Sequence, residues 1–120
     1  MNASFTAVAA ALLLTFSSVV SAHTGISKTT PKSGSELAQS PPTIEIEFHD
    51  SAKLTSLVVT GADKKERRLE FKASDKPNTF TVNAPKLEPG RNEIAWKALS
   101  SDGHVASGTL VFVVKPAKAN

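Results

Sequence analysis

Residues 92–114 read NEIAWKALSSDGHVASGTLVFVV and contain two predicted strands on either side of a turn. The first strand has apolar side chains at every second position, which places them on one face: Ile94, Trp96 and Ala98. Residues 109–114 are apolar almost throughout, which predicts a strand buried on both sides. The intervening Ser101-Asp102-Gly103 is typical of a turn, because Asp bonds its own backbone and Gly tolerates positive φ. The stretch therefore predicts β structure on both sides of a polar loop.

The same pattern of short strands and turns continues through the rest of the chain. Residues 43–49 (TIEIEFH) alternate strictly between apolar and polar side chains. Further β-rich runs lie at residues 24–29, 54–60, 68–72 and 79–83. No segment after residue 22 has a sustained 3.6-residue apolar period. Seven short strands at roughly ten-residue spacing predict an all-β fold, a seven-stranded Greek-key β-sandwich of the Ig-like or cupredoxin-like kind.

The N-terminal residues have the pattern of a secretory signal peptide. An apolar run is followed by Val20 and Ala22 at the −3 and −1 positions of a small-residue cleavage site. We expect residues 1–22 to be cleaved, which leaves residues 23–120 as a single secreted domain. His23 would then be the first residue and carry both a free α-amine and an imidazole. The apolar run is too short to predict a membrane span, so we expect a mature chain that does not cross the membrane.

Composition and charge exclude several functional classes. The chain has 14 Lys and Arg against 11 Asp and Glu, and its basic pairs Lys64-Lys65 and Arg67-Arg68 are interleaved with acidic residues. Nucleic-acid binding requires a clustered basic face with stacking aromatics, and the chain has no Tyr, so we expect no nucleic-acid partner. The chain has no Cys, and its single Met is residue 1. The mature chain therefore offers neither disulfides nor sulfur ligands for a metal.

The chain has three histidines, His23, His49 and His104, of which His23 and His104 are the candidate metal ligands. Asp102 and His104 are two residues apart, so in locally extended backbone their side chains project to the same side. Two nitrogens of His23, one nitrogen of His104 and an oxygen of Asp102 would suit tetragonal Cu(II). His49 lies on the polar face of the strand predicted over residues 43–49, which indicates an exposed side chain.

Other interpretations of these residues remain open. An N-terminal His is compatible with an accident of cleavage, and a His in a turn is often only solvated. Asp102 can cap the turn before His104 through its own backbone. Trp96 is predicted to anchor the core between two sheets, as a buried Trp does in other sandwiches.

The chain after residue 22 resembles the CopC/PcoC copper-resistance family, which comprises small periplasmic Cu(II)-binding β-sandwich proteins. The resemblance rests on His23 and on five stretches: 27–34 (SKTTPKSG), 44–48 (IEIEF), 87–90 (LEPG), 96–104 (WKALSSDGH) and 107–108 (SG). It covers essentially the whole predicted mature chain. The motif W-x-x-x-S-x-D-x-H together with an N-terminal His is fairly specific.

The resemblance implies a site and a function. It implies that the amine and imidazole of His23 chelate Cu(II), an arrangement often called a histidine brace, and that Asp102 and His104 complete the site. Asp50 would hydrogen-bond a ligand or the amine, although the family more often has F-S-E where this chain has Phe48-His49-Asp50. The implied role is copper buffering, or transfer to a partner such as a membrane copper importer, in copper homeostasis or resistance. We also expect that this protein is not an enzyme.

One family property is excluded, and two alternative functions are retained. Some members bind Cu(I) through a Met-rich stretch in mid-chain, but residues 60–71 contain neither Met nor His, and soft Cu(I) sites require sulfur. Histidine braces also occur in mono-copper oxidases. Against an oxidase, a coordinating carboxylate such as Asp102 favours Cu(II) over redox cycling, and the mature sequence shows no aromatic substrate platform. A metal-free Ig-like interaction module is the second alternative, because the site and not the fold decides function.

Overall fold

The computed structural model describes residues 25–116, and His23 and the predicted signal peptide lie outside this range. Nine strands occur in the described residues: β1 (Ile26–Thr30), β2 (Glu36–Leu37), β3 (Thr43–Phe48), β4 (Ala52–Thr60), β5 (Glu66–Arg68), β6 (Lys72–Ala73), β7 (Thr79–Asn83), β8 (Gly90–Ser100) and β9 (Val105–Val114). All regular structure in this range is strand, so the range contains no helix long and apolar enough to cross a membrane.

The strands form two sheets that pack face to face. One sheet has four strands in the order β1-β3-β7-β6, and the other has five in the order β2-β9-β8-β4-β5. Neighbouring strands are antiparallel, except that the two-residue β2 runs parallel to β9. The predicted β-sandwich is confirmed. The strands beyond the predicted seven are pieces of two or three residues, which are too short to show an alternating pattern in the sequence.

The prediction of one strand over residues 68–72 is wrong. The chain leaves the five-stranded sheet at the end of β5 and enters the four-stranded sheet at β6. Leu69 is buried in this crossing, and its N–H donates to the Leu57 carbonyl at 3.0 Å. Leu69 and Phe71 have the two-residue spacing of a strand, yet they contact the core from a connection between sheets.

The core lies between the sheets and takes its side chains from both. The buried apolar residues from the main strands are Ile44, Ile46, Phe48, Leu54, Leu57, Val59, Val82, Ile94, Trp96, Ala98, Leu110, Phe112 and Val114. Trp96 is 7% exposed and packs edge-to-face on Phe48, with ring centroids 5.6 Å apart. The predicted core role of Trp96 is therefore confirmed.

The prediction that residues 109–114 are buried on both sides is wrong for half of them. Leu110, Phe112 and Val114 are buried, whereas Val111 and Val113 are only half-buried and Thr109 is exposed. Only one face of the five-stranded sheet packs on the other sheet, so the opposite face of β9 remains partly open to solvent.

The strand register assigns each loop to one of two ends of the sandwich. At the first end, Ala52 of β4 pairs with Ser100 of β8, Leu99 pairs with Val105, and Ile26 pairs with Phe48. This end therefore carries Gly25, the β3–β4 connection over residues 49–51 and the β8–β9 loop over residues 101–104, and we call it the histidine end. The opposite end carries the β4–β5 turn and the connection from β7 to β8, and we call it the hairpin end.

Candidate metal centre

The β8–β9 loop is a short turn closed by backbone hydrogen bonds. The N–H of Ser100 donates to the His104 carbonyl at 2.9 Å, and the N–H of Gly103 donates back to the Ser100 carbonyl at 3.0 Å. Gly103 has a φ of +87°, a conformation that side-chain-bearing residues rarely adopt. The sequence prediction of a turn here is confirmed, and the turn holds Asp102 and His104 at the histidine end.

The Asp102 carboxylate is fixed by three hydrogen-bond partners within this loop. Its Oδ1 accepts the backbone N–H of His104 at 3.1 Å and also accepts the Ser100 hydroxyl. Its Oδ2 lies 3.0 Å from Nδ1 of the His104 ring. Asp102 thus caps the turn, as one interpretation of the sequence held, and it orients the imidazole at the same time. With Nδ1 directed at the carboxylate, the outward nitrogen of His104 is Nε2.

The electrostatics of the pair follow from these contacts. The hydrogen bond from Ser100, followed by those from the ring and backbone of His104, holds the pKa of Asp102 well below its ordinary value. The hydrogen bond to Asp102 raises the pKa of His104 above its ordinary value of 6.5. The stabilisation by the pair is therefore lost as pH rises through the raised pKa of His104, or falls through the lowered pKa of Asp102. At neutral pH the carboxylate is ionised.

Both side chains of the pair face solvent. The Asp102 side chain is 63% exposed and that of His104 is 86% exposed. Solvent screens a pair in this position, so its net contribution to folding is small. Because burial of these side chains is not what keeps them in place, their preorganisation comes from the turn hydrogen bonds, and their outward lone pairs remain accessible to a ligand.

Asp50, which is predicted to hydrogen-bond a ligand, lies at the same end, as does His49. The backbone N–H of His49 donates to the Gly25 carbonyl at 3.0 Å, so the β3–β4 connection lies beside the chain that leads back to residue 23. His49 is exposed, as its position in the strand pattern predicts, and Asp50 is also exposed. Among residues 25–116, no three His, Asp or Glu side chains are close enough together to hold a metal ion. The described residues therefore supply a pair of donors rather than a complete set.

This donor pair has the chemistry of a partial Cu(II) site. An imidazole nitrogen and a carboxylate oxygen are ligands that Cu(II) accepts in tetragonal geometry, and further ligands would have to come from outside the described range. The β8–β9 loop lies at the end of the sandwich where β1 begins, so residues that precede β1 in the chain could supply the remaining metal ligands.

Sequence reasoning assigned no role to Ser100. Its hydroxyl donates to the Asp102 carboxylate and its oxygen lies 3.1 Å from the His104 carbonyl oxygen. The signal was present, since Ser and Asp two residues apart at a turn commonly exchange such bonds. Ser100 ends β8, however, and only its hydrogen bonds in the folded chain show that its side chain is directed at the loop.

Comparison with known proteins finds similarity over both sheets and the β8–β9 loop. A model of the CopC domain matches residues 26–115. Copper resistance protein C of Pseudomonas syringae pv. tomato is 31% identical over 109 residues, which cover 82% of this chain and 86% of that protein. The crystal structure of CopC from Methylosinus trichosporium OB3b superposes with a TM-score of 0.68 at 26% identity and covers 82% of this chain and 99% of that one. PcoC, a methionine-rich copper resistance protein from Escherichia coli, gives a TM-score of 0.59 at 26% identity and covers 78% of this chain and 99% of that one.

Proposed function

This chain belongs to the CopC family, and on that premise we propose that it is a periplasmic Cu(II)-binding protein. In this proposal, residues 1–22 are removed as a signal peptide and residues 23–120 form the working domain. The protein buffers copper or hands it to a partner, such as a membrane copper importer, in copper homeostasis or resistance. The observation that carries the proposal is the exposed and preorganised Asp102–His104 pair at the histidine end.

The proposed ligands are His23, Asp102 and His104. His23 supplies its α-amine and an imidazole nitrogen, His104 supplies an imidazole nitrogen, and Asp102 supplies a carboxylate oxygen, so bound copper would replace the hydrogen bond between Nδ1 of His104 and Oδ2 of Asp102. Position 23 is two residue steps from position 25, so the chain allows the two residues to be at most about 7 Å apart. Because Gly25 is bonded to the β3–β4 connection at the histidine end, this short tether keeps the amine at that end. Bound copper would be held by three nitrogens and one oxygen, a set that favours Cu(II).

The neighbouring residues prepare the ligands for binding. Ser100 and the turn backbone hold the Asp102 carboxylate, and Asp102 in turn fixes the ring orientation of His104. In the metal-free protein the hydrogen bond between Asp102 and His104 keeps the two side chains together in the loop until copper replaces it. We also propose that Asp50 hydrogen-bonds the amine or a ligand, since its connection adjoins Gly25.

Proton competition gives the proposed site a pH dependence. The amine must lose a proton with an ordinary pKa near ~8, and both imidazoles must be neutral to bind. The raised pKa of His104 extends this competition to higher pH. We therefore expect Cu(II) affinity to fall steeply from about pH 7.5 to about pH 5, and an affinity that stays flat over this range would contradict amine ligation.

A carrier role is favoured over catalysis. A directly bound carboxylate stabilises Cu(II) relative to its reduced form, and the mature chain has no sulfur ligands for Cu(I). We accordingly propose that the protein is not an enzyme. Peroxide production from ascorbate and O₂ at catalytic rates by the copper-loaded protein would contradict this.

The test compares the chain starting at His23 with the same chain carrying one additional N-terminal Met. Cu(II) is titrated into each, and binding is followed by electron paramagnetic resonance and by fluorescence of Trp96, the single tryptophan. We expect tight one-to-one binding with a three-nitrogen signature in the first chain, and binding weakened at least about 100-fold in the second, because the amine is displaced. Equal and weak binding by both chains would overturn the proposal and favour the metal-free interaction module.

A further inference from the structure

Strand β9 has an open edge over its first half. Its second half is covered: the Val111 carbonyl accepts the Gly34 N–H at 2.7 Å, and the Val113 N–H donates to the Ser35 carbonyl at 3.1 Å. Alternate residues of a strand direct their backbone groups to the same side, so Val105, Ser107 and Thr109 direct theirs to this outer side as well. Within residues 25–116 these three have no partner there, since β9 pairs only with β8 along this half.

This open edge borders a groove of about 560 Å³ between β9 and β1. Its apolar lining includes Ile26, Trp96 and Leu110, and it exposes part of an otherwise buried core. Gly108 makes this possible, because a Cβ at that position would lie 2.8 Å from the Trp96 ring. The absence of a side chain therefore lets the indole lie against β9 and form part of the groove lining.

Edges of this kind are normally protected. Natural sheets block a free edge with charges, Pro, bulges or a covering element, since an open edge can pair with another chain. Residues 105–110 (VASGTL) contain no charge and no Pro, and their pairing with β8 is regular, without a bulge. On the opposite side of the groove, β1 does contain a register shift between Ile26 and Lys28. The edge of β9 is thus left available on one side of the sandwich.

The charged side chains that line the groove are of one sign, whereas Lys28 also borders Glu45 and Glu47 on the far side of β1. Lys28 and Lys32 line the groove and are exposed, and its lining includes no acidic side chain. Two lysines beside a free strand edge would repel a second copy of the same groove and attract a carboxylate-bearing segment.

From these three observations we propose that the groove between β1 and β9 binds an extended, acidic segment of a partner protein. The segment adds as a strand to the free edge of β9, bonds the backbone of Val105, Ser107 and Thr109, and places its carboxylates near Lys28 and Lys32. This mode of recognition takes affinity from main-chain hydrogen bonds and specificity from alternate side chains. The site requires no metal and is independent of the proposed copper function, although it begins one residue after His104.

The probe is a seven-residue peptide, acetyl-EVEVEVE-amide, and its control is the same sequence N-methylated at every second residue, which removes hydrogen-bond donors. Binding to the metal-free protein is measured by amide chemical shifts, amide hydrogen exchange and Trp96 fluorescence. In the free protein the outward amides of residues 105, 107 and 109 should exchange faster than those of residues 106 and 108. We expect the probe to protect the outward amides and the N-methylated peptide to bind at least about tenfold more weakly.

Two variants test the edge and the charge separately. Ser107→Pro removes an N–H that does not pair with β8, so a variant that folds should no longer bind the probe peptide. The double variant Lys28→Glu/Lys32→Glu should weaken binding at least about tenfold, whereas Lys65→Glu in the β4–β5 turn should not change it. If Ser107→Pro does not fold, the two peptides on the unaltered protein still decide the question.

Three outcomes would overturn the proposal. The first is equal affinity for both peptides, and the second is chemical-shift changes confined to residues outside β9 and the groove. The third is slow amide hydrogen exchange at residues 105, 107 and 109 in the free protein that becomes fast on dilution. That result would show that a second copy of the protein occupies the edge. Copper titration of the same samples reports on the proposed copper function separately, so failure of one does not imply failure of the other.

Discussion

The two ends of the sandwich use polar side chains in opposite ways. At the hairpin end, Asn92 is 1% exposed and its amide group is fully engaged: Nδ2 donates to the carbonyls of Glu88 (2.8 Å) and Gly90 (3.1 Å), and Oδ1 accepts the Glu88 N–H at 3.3 Å. Nearby, the Arg67 guanidinium donates to the carbonyls of Pro85 and Lys86. At the histidine end, Asp102 and His104 are largely exposed and bond mainly to each other and to their own turn.

The difference separates structural from ligand-binding polar groups. A buried polar group costs free energy unless its hydrogen bonds are made, so Asn92 is saturated by the connection that it stabilises. The pair at the histidine end carries no such requirement, and it keeps accessible donor atoms while the turn fixes its geometry. Substitutions at the hairpin end should therefore change stability, and substitutions at the histidine end should change metal affinity.

The largest effect that would test this division is the loss of the imidazole at the histidine end. We expect His104→Asn to weaken Cu(II) binding by more than about 100-fold, because it removes a proposed ligand. Unfolding by denaturant should change by less than about 0.5 kcal/mol, because the side chain is exposed. The matched control is His49→Asn, an exposed histidine at the same end that should retain copper affinity. Equal losses in the two variants would break the comparison.

The carboxylate should have the next largest effect. We expect Asp102→Asn to weaken Cu(II) binding about 100-fold, since it replaces a proposed carboxylate ligand by a neutral amide. In the metal-free protein the pKa of His104 should also fall towards its ordinary value, as followed by NMR titration of the ring. The control is Asp75→Asn, which lies in the β6–β7 connection. An unchanged pKa of His104 would show that the pair does not form in solution.

At the hairpin end the expected change is in stability alone. We expect Asn92→Ala to lower the free energy of unfolding by about 2 kcal/mol, because it leaves the part-buried Glu88 N–H and the carbonyls of Glu88 and Gly90 without their partner. Asn83→Ala, at an exposed position, should stay within about 0.5 kcal/mol. Denaturant titration followed by Trp96 fluorescence measures both. A weakened copper affinity in folded Asn92→Ala would show that the two ends are coupled.

The smallest effect concerns the positioning of the carboxylate. We expect Ser100→Ala to weaken Cu(II) binding by up to about tenfold and to raise the pKa of Asp102, because the hydroxyl is the main cause of its lowered value. Ser101→Ala, in the same loop, should leave both quantities unchanged. If both serine variants bind copper as the unaltered protein does, the carboxylate is positioned by the turn backbone alone.

Much of the fold could be predicted because strand periodicity is a local property. The alternation of Ile44, Ile46 and Phe48 places each side chain inside, and β3 has these residues buried as predicted. The prediction failed where the same local sequence pattern occurs in two different structural settings. Leu69 and Phe71 have strand spacing but lie in the crossing between sheets, and Val111 is as apolar as its buried neighbours but lies on the outer face.

The candidate metal site was likewise predictable from the sequence only in part. The amino-acid sequence by itself determined that Asp102 and His104 share a turn, because residues two apart around a glycine are bound to be neighbours. The tertiary structure decided which other segments join them. Strand order and register bring the start of β1 and the β3–β4 connection to the same end as this turn, and among residues 25–116 they leave the outer edge of the first half of β9 without a partner. These are long-range pairings between segments far apart in the chain, and no short-range pattern encodes them.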